Sequence, residues 1–239
     1  MRHPKSKPQL VKQKLINFLR DPHFPYFLLD LIRRASPRAA RLIQYGRYNP
    51  NTAEYWNRRY SSGEYEIQEF ERYGQLRQQV IDLIRPGSRV LDVGCGAGGF
   101  LVMLQEQKSC QCVGIDISDV AVSVTCQRGF QAYVAKLPQL PKQISDASFD
   151  ACVLLETLEH ISNPIRTIGQ IARVLKPGGS IIVSVPNNCM PPEEFDEHVV
   201  CFDQESMRNL LSRYFQVELC SVLDAGGFQY LIASGRKVN

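Results

Sequence analysis

The segment Arg89-Val90-Leu91-Asp92-Val93-Gly94-Cys95-Gly96-Ala97-Gly98-Gly99-Phe100 constrains the fold more than any other stretch of the chain. The apolar run up to Val93 predicts a buried parallel strand, the glycines a tight turn, and Phe100 to Gln107 the helix that follows. In that order the three make a cradle for a nucleotide. Gly94, Gly96 and Gly98 allow positive φ and bring backbone against a ligand with no Cβ in the way. By spacing alone Gly94, Gly96 and Gly99 also satisfy the dinucleotide fingerprint, which keeps an NAD-dependent dehydrogenase among the alternatives. Asp92 argues against it. A carboxylate two residues before the first glycine repels a pyrophosphate seated on the helix N-terminus, and it suits a ligand with an ammonium group and no phosphate.

S-adenosylmethionine is such a ligand, and the segment resembles the first motif of the class I S-adenosylmethionine-dependent methyltransferases. Asp92, Gly94, Gly96 and Gly98 match that motif position for position. The resemblance implies that these residues, with Cys95, hold the cofactor near its methionine end. Ala172-Arg173-Val174-Leu175-Lys176-Pro177-Gly178-Gly179 resembles the family's late motif, and Tyr55-Trp56 through Tyr65 resembles the entry segment that folds over the cofactor. The likeness covers residues of about 50 to 235 and, within the family, lies nearest the ubiquinone-pathway O-methyltransferases.

From Ser88 onward strands and helices alternate, the pattern of a parallel sheet covered on both faces. Strands are expected at Cys110 to Ile117, Gln131 to Ala135, Phe149 to Leu155 and Ser180 to Val185, with Phe215 to Leu223 and Phe228 to Ser234 as a terminal hairpin. Helices are expected from Ser118 to about Arg128, from Pro164 to Leu175 and from Asp203 to Arg213. The fold class is therefore α/β, a doubly wound Rossmann-like sheet. The resemblance makes it seven-stranded and mostly parallel, with the last strand antiparallel. Asp116 ends the second strand 24 residues after Asp92, where an acid in a doubly wound fold accepts hydrogen bonds from ribose hydroxyls, and Ile117 follows it. The family's usual adenine-capping aspartate is replaced by Ala135-Lys136, which leaves the adenine contact open.

Upstream, Thr52 is suited to cap a helix from Ala53 to Tyr60, and Glu64 to Ile84 has a helical pattern stopped by Pro86-Gly87. Residues 1 to 50 form an expected helical appendage or lid ahead of a methyltransferase domain at 51 to 239. Helices are expected over Gln9 to Arg20, Phe24 to Arg34 and Pro37 to Tyr45. Residues 1 to 59 carry thirteen basic against three acidic side chains, a net +10, which leaves −6 on the rest of a chain of net +4. That split suits an anionic or membrane-associated small-molecule acceptor, an RNA contact, or a solvated lid. Eight scattered cysteines without a CxxC pair read as reduced core residues of a cytoplasmic protein, peripheral at most to a membrane. No export signal is read at the start, and no apolar run approaches the ~18 residues that cross a bilayer.

Methyl transfer from a sulfonium requires an aligned acceptor and removal of its proton. The fourth strand runs into Leu155-Glu156-Thr157-Leu158-Glu159-His160, and the site should lie at such carboxyl ends. An Asn-Pro-Pro-Tyr type motif is absent there, which argues against exocyclic base amines. Glu156, Glu159 and His160 are spaced i, i+3 and i+4, so on one helical turn they would face one point. His160 and His198 are the candidate bases, and Glu156 is a candidate for catalysis and for the cofactor. Alternatively, Glu156, Glu159, His160 and His198 bind a divalent cation that lowers the pKa of a hydroxyl. The acceptor atom expected is a hydroxyl oxygen of a small molecule. A metal-assisted RNA 2′-O-methyltransferase and a non-catalytic cofactor-binding scaffold are the alternatives.

Overall fold

A computed structural model of the chain describes residues 49–62, 73–187, 197–225 and 227–238. The three N-terminal helices expected before residue 46 lie outside the described residues. By backbone contacts the chain falls into two compact units, Met1–Pro50 with Met190–His198, and Asn51–Cys189 with Val199–Asn239.

The larger unit is built on strands β1 (Arg89–Val93), β2 (Gln111–Asp116), β3 (Gln131–Val134), β4 (Phe149–Leu155), β5 (Leu175–Pro186), β6 (Phe215–Ala225) and β7 (Phe228–Lys237). Its helices are α1 (Ala53–Ser61), α2 (Gly74–Asp82), α3 (Gly99–Lys108), α4 (Asp119–Gln127), α5 (Pro164–Val174) and α6 (Gln204–Leu211). The seven strands form one sheet in the order β3-β2-β1-β4-β5-β7-β6. β1 pairs in parallel with both β2 and β4, while β7 runs antiparallel between β5 and β6. β7 is the single reversed strand. The order of the strands turns back at β1, the place where open α/β sheets bind ligands beyond the strand ends.

Alternate residues of each strand enter opposite cores. Leu91, Val93, Ile181, Val183 and Val185 belong to one apolar cluster, and Val90, Ile182 and Ile232 to the other. Both faces of the central strands are covered, so β1 and β4 are apolar almost throughout, whereas β3 and β6 at the two edges are partly exposed.

The helix starts follow local chemistry. Thr52 Oγ1 accepts from Tyr55 N, Ser118 Oγ from Ala121 N, Asn163 Oδ1 from Arg166 N, and Asp203 forms a capping box with Ser206. Three expectations change. The helix expected from Glu64 is described only from Gly74, and Tyr73 is its non-helical N-cap, with its ring packed edge-on against Tyr230. β5 starts at Leu175 rather than Ser180. The expected turn Lys176-Pro177-Gly178-Gly179 is absorbed into the strand as an irregularity opposite Phe149 and Ala151, with Gly178 at φ +68°.

The third change concerns the cysteines. Cys95, Cys110, Cys152 and Cys220 are buried free thiols, but Cys126 is exposed, and Cys201 is disulfide-bonded rather than reduced. Cys201 lies exposed just ahead of α6, outside the apolar strands that shield the buried thiols. Among the described residues no helix is long and apolar enough to cross a membrane.

Candidate active site

Beyond β1 the chain turns through Gly94, Gly96 and Gly98 at φ +81°, +53° and +81°. The amides of Gly94 and Cys95 donate to the Ile115 carbonyl at 2.8 and 3.0 Å, which ties the loop to β2. Close packing explains two of these glycines. A Cβ on Gly94 would lie 2.3 Å from Thr157 Oγ1, and one on Gly98 2.9 Å from Thr125 Oγ1. Cys95 Sγ occupies the room that a side chain on Gly114 would need, and its thiol donates to the Gly96 carbonyl at 3.6 Å. Burial, then the charges of Asp116 and Asp92, hold that thiol well above the usual cysteine range. Asp92 itself is buried in β1, between Gly114 of β2 and Val153 of β4.

Asp116 ends β2 and knits the loop together. Its Oδ2 accepts from Gly96 N at 3.0 Å and its Oδ1 from Ser118 N at 2.8 Å, and Thr125 Oγ1 donates to the Gly96 carbonyl at 2.9 Å. Burial raises the Asp116 carboxyl above its ordinary value, against the lowering effect of the amides of Ser118, Gly96 and Ile117. A carboxylate offers about four acceptor positions, so capacity for hydroxyl donors remains.

The end of β4 departs from the expected helical turn. Glu156 lies at φ +48°, a left-handed conformation that is rare outside glycine, and the chain then enters a single 3₁₀ turn, Leu158–His160. Ser184 of β5 holds Glu156 there. Glu156 N donates to Ser184 O at 3.0 Å and to Ser184 Oγ at 3.2 Å, and Ser184 Oγ donates to the Glu156 carboxylate at 2.8 Å. Glu156 is thus turned toward β5, off the single helical face expected for Glu156, Glu159 and His160. Among the described residues, the side chains near enough to share a cation do not include Glu156.

Glu159 is buried, and its carbonyl accepts from the amides of Val199 and Val200 at 2.8 and 3.1 Å. His160 Nε2 lies 3.8 Å from Glu159 Oε1, and the imidazole meets the Trp56 ring edge-on with centroids 5.1 Å apart. His198 belongs to the smaller unit and is placed only by chain order, immediately before Val199.

α1 holds the Tyr55-Trp56 start of the expected entry segment, and its Trp56 lies beside His160. Trp56 is buried on α1, with its Nε1 donating to Asn51 Oδ1 at 3.1 Å. Asn57 accepts from Ser118 Oγ at 2.7 Å and donates to the Asp119 carboxylate. Asn57 is not singled out in the sequence, which carries no short-range signal for a partner 61 residues away.

A family model described as a methyltransferase domain matches residues 65–231. The chain belongs to the class I S-adenosylmethionine-dependent methyltransferases. The dehydrogenase alternative gives way to that membership. Similar curated proteins include the ubiquinone biosynthesis O-methyltransferases of Hahella chejuensis, 34% identical over 54% of this methyltransferase and 57% of that protein, and of Paracidovorax citrulli, 33% identical over 52% and 55%. The methyltransferase thus spans little more than half the length of these relatives.

Several solved structures share its fold. One, from the complex of the Haloferax volcanii Trm112 methyltransferase activator with its methyltransferase, has a TM-score of 0.69 at 18% identity, covering 77% of this chain and 98% of that one. A Haemonchus contortus phospholethanolamine N-methyltransferase bound to S-adenosylhomocysteine has a TM-score of 0.60 at 14% identity, over 69% and 53%.

Proposed function

We propose that this methyltransferase moves the methyl group of S-adenosylmethionine to a hydroxyl oxygen of a small molecule. The observation that carries the reading is the turn after β4. It brings Thr157 against Gly94 of the cofactor loop and presents an imidazole, His160, three residues later, backed by Glu159. The likeness to proteins named as O-methyltransferases supports oxygen as the acceptor atom.

In this reading Asp92, Gly94, Cys95 backbone, Gly96 and Gly98 take the methionine end of the cofactor, and Asp116 with Ile117 takes the ribose. His160 or His198 accepts the acceptor's hydroxyl proton, since imidazole titrates nearest neutrality. The oxygen attacks the methyl carbon in line as the sulfur–carbon bond breaks. The electron pair stays on sulfur, leaving neutral S-adenosylhomocysteine, and the imidazolium returns its proton to water. Glu156 shapes the pocket wall from its seat on Ser184. In a metal-dependent version Glu159, His160 and His198 would hold a divalent cation that acidifies the hydroxyl. The basic stretch of residues 1 to 59 favours an anionic or membrane-associated acceptor, met at the cytoplasmic side of a membrane.

A screen of phenols, aliphatic alcohols, amines and short RNA, read by release of S-adenosylhomocysteine, tests the reading. Turnover only with amines would remove the oxygen assignment, turnover only with RNA would favour 2′-O-methylation, and none at all would favour a cofactor-binding scaffold. Chelation followed by Mg²⁺, Mn²⁺ or Zn²⁺ decides the metal version. Full activity in both His160→Ala and His198→Ala would move the base elsewhere. Deleting residues 1 to 45 should raise the acceptor KM in a salt-dependent manner.

A further inference from the structure

We propose that Asn57 is a positioning residue for the cofactor: it latches α1 to the turn that carries Asp116, so that seating of α1 and binding of the cofactor stabilise each other. This rests on the reading above that Asp116 takes the ribose.

The latch is a chain of hydrogen bonds with one consistent direction. Ser118 Oγ accepts from Ala121 N at 3.1 Å, and its proton goes to Asn57 Oδ1 at 2.7 Å. Asn57 Nδ2 donates to the Asp119 carboxylate. The reverse orientation of the amide would set Asn57 Oδ1 against a carboxylate with no proton between them, so Asp119 requires this one. Ser118 is fully buried, and its own amide donates to Asp116 Oδ1 at 2.8 Å. The other Asp116 oxygen accepts from Gly96 N, and Thr125 Oγ1 donates to the Gly96 carbonyl. One connected path therefore runs from α1 through Ser118 and Asp116 into the glycine loop.

The neighbouring residue anchors the same helix elsewhere. Trp56 packs on His160 beyond β4, whereas Asn57 is held beyond β2. β2 and β4 are the two neighbours of β1, so α1 bridges the strand ends on either side of the glycine loop. A ligand seated there that orders Asp116 also orders Ser118 and Asn57, and by reciprocity a seated α1 prepares the site for the ligand.

The test uses the full chain, S-adenosylhomocysteine as the probe in calorimetry, and the emission of Trp56, the only tryptophan, as a separate reporter of α1. Asn57→Asp sets a carboxylate against Asp119. It should weaken S-adenosylhomocysteine by about tenfold, the equivalent of one hydrogen bond to a charged group. Trp56 emission should shift to the red and return as ligand is added. Asn57→Ala should show the same changes at smaller size.

The exchange Asn57→Asp with Asp119→Asn rebuilds the bond between positions 57 and 119 with donor and acceptor swapped, leaves Ser118 Oγ donating to residue 57, and should restore affinity to within about threefold of the parent. A helix that merely adds stability would not couple its reporter to the ligand. Unchanged affinity in Asn57→Asp, or an exchange no better than the single variant, overturns the latch. Asp116→Ala separates the two levels. If it weakens the ligand and Asn57→Asp does not, only the latch fails; if it does not weaken the ligand, the ribose assignment fails and takes the latch with it.

Discussion

Gly94 and Thr157 stand closer than any side chain on Gly94 allows, since a Cβ there would lie 2.3 Å from Thr157 Oγ1 and 2.7 Å from its Cγ2. Thr157 cannot turn away freely, because its hydroxyl donates to the Leu155 carbonyl at 2.9 Å. The contact joins the cofactor loop after β1 to the turn after β4. Any residue but glycine at 94 must open the loop or displace the turn that carries Glu159 and His160.

Gly94→Ala should therefore cost about 2–4 kcal/mol, combining a left-handed alanine with overpacking. Urea unfolding measures it, and S-adenosylhomocysteine binding should fall in parallel. Gly98→Ala meets Thr125 Oγ1 at 2.9 Å and should cost less. A Gly94→Ala loss under about 1 kcal/mol, at the low end for an inserted methyl group, would show that the turn yields.

Asp116 makes cofactor affinity depend on pH. Burial raises its carboxyl above the ordinary 3.8, so its contribution to stability of the ligand-free fold is present below 3.8 and is lost as pH rises through the raised value. Ribose hydroxyls donate more strongly to the ionised form, which is acceptor-only on both oxygens. Affinity for S-adenosylhomocysteine should then be highest above the raised value and fall as pH drops through it. Calorimetry across that range in the parent and in Asp116→Asn checks the sign, for the dependence should vanish in the variant. An identical profile in both would place the titrating group elsewhere.

The thiols should react in order of exposure. Burial pushes Cys95 and Cys152 well above the usual 9.0, and burial, then Cys110 and Asp92, push Cys112 up to about 12. Exposed Cys126 should take iodoacetamide first at pH 8, with Cys95 and Cys152 labelled only on unfolding. Peptide mass spectrometry over a time course reads the order. Labelling of Cys95 as fast as Cys126 would mean that the glycine loop opens readily.

Glu156 is strained for a purpose that a glycine would expose. At φ +48° a non-glycine residue costs about 1–2 kcal/mol, and Glu156→Gly removes that cost along with the carboxylate's bond from Ser184, worth about 1 kcal/mol or somewhat more. The two nearly offset, so thermal stability should hold or rise slightly while methyl transfer falls by tenfold or more. Full activity in a stable Glu156→Gly variant would show that the carboxylate has no part in the site.

What was legible beforehand was local. Thr52, Ser118 and Asp203 could be read as helix starts because a capping side chain reaches an amide three residues on. The central strands β1 and β4 could be read because they are buried on both faces, and the glycine loop because positive φ selects glycine. Asp116 followed from its place at a strand end. That the last strand runs reversed came from family resemblance, while its place between β5 and β6 appeared only in the structure, since no short-range pattern encodes it.

The site's geometry was decided at longer range. The spacing of Glu156, Glu159 and His160 suited one face of a helix, yet Ser184, 28 residues away on β5, holds Glu156 left-handed and breaks that face. Nothing in the sequence singles out Asn57, whose partner Ser118 lies 61 residues on and meets it only in the fold. Periodicity and capping act over a few bonds and leave their mark in neighbouring residues. Which distant side chains meet depends on how the strands stack and where each ends, and that is settled only when the two apolar clusters close on the sheet.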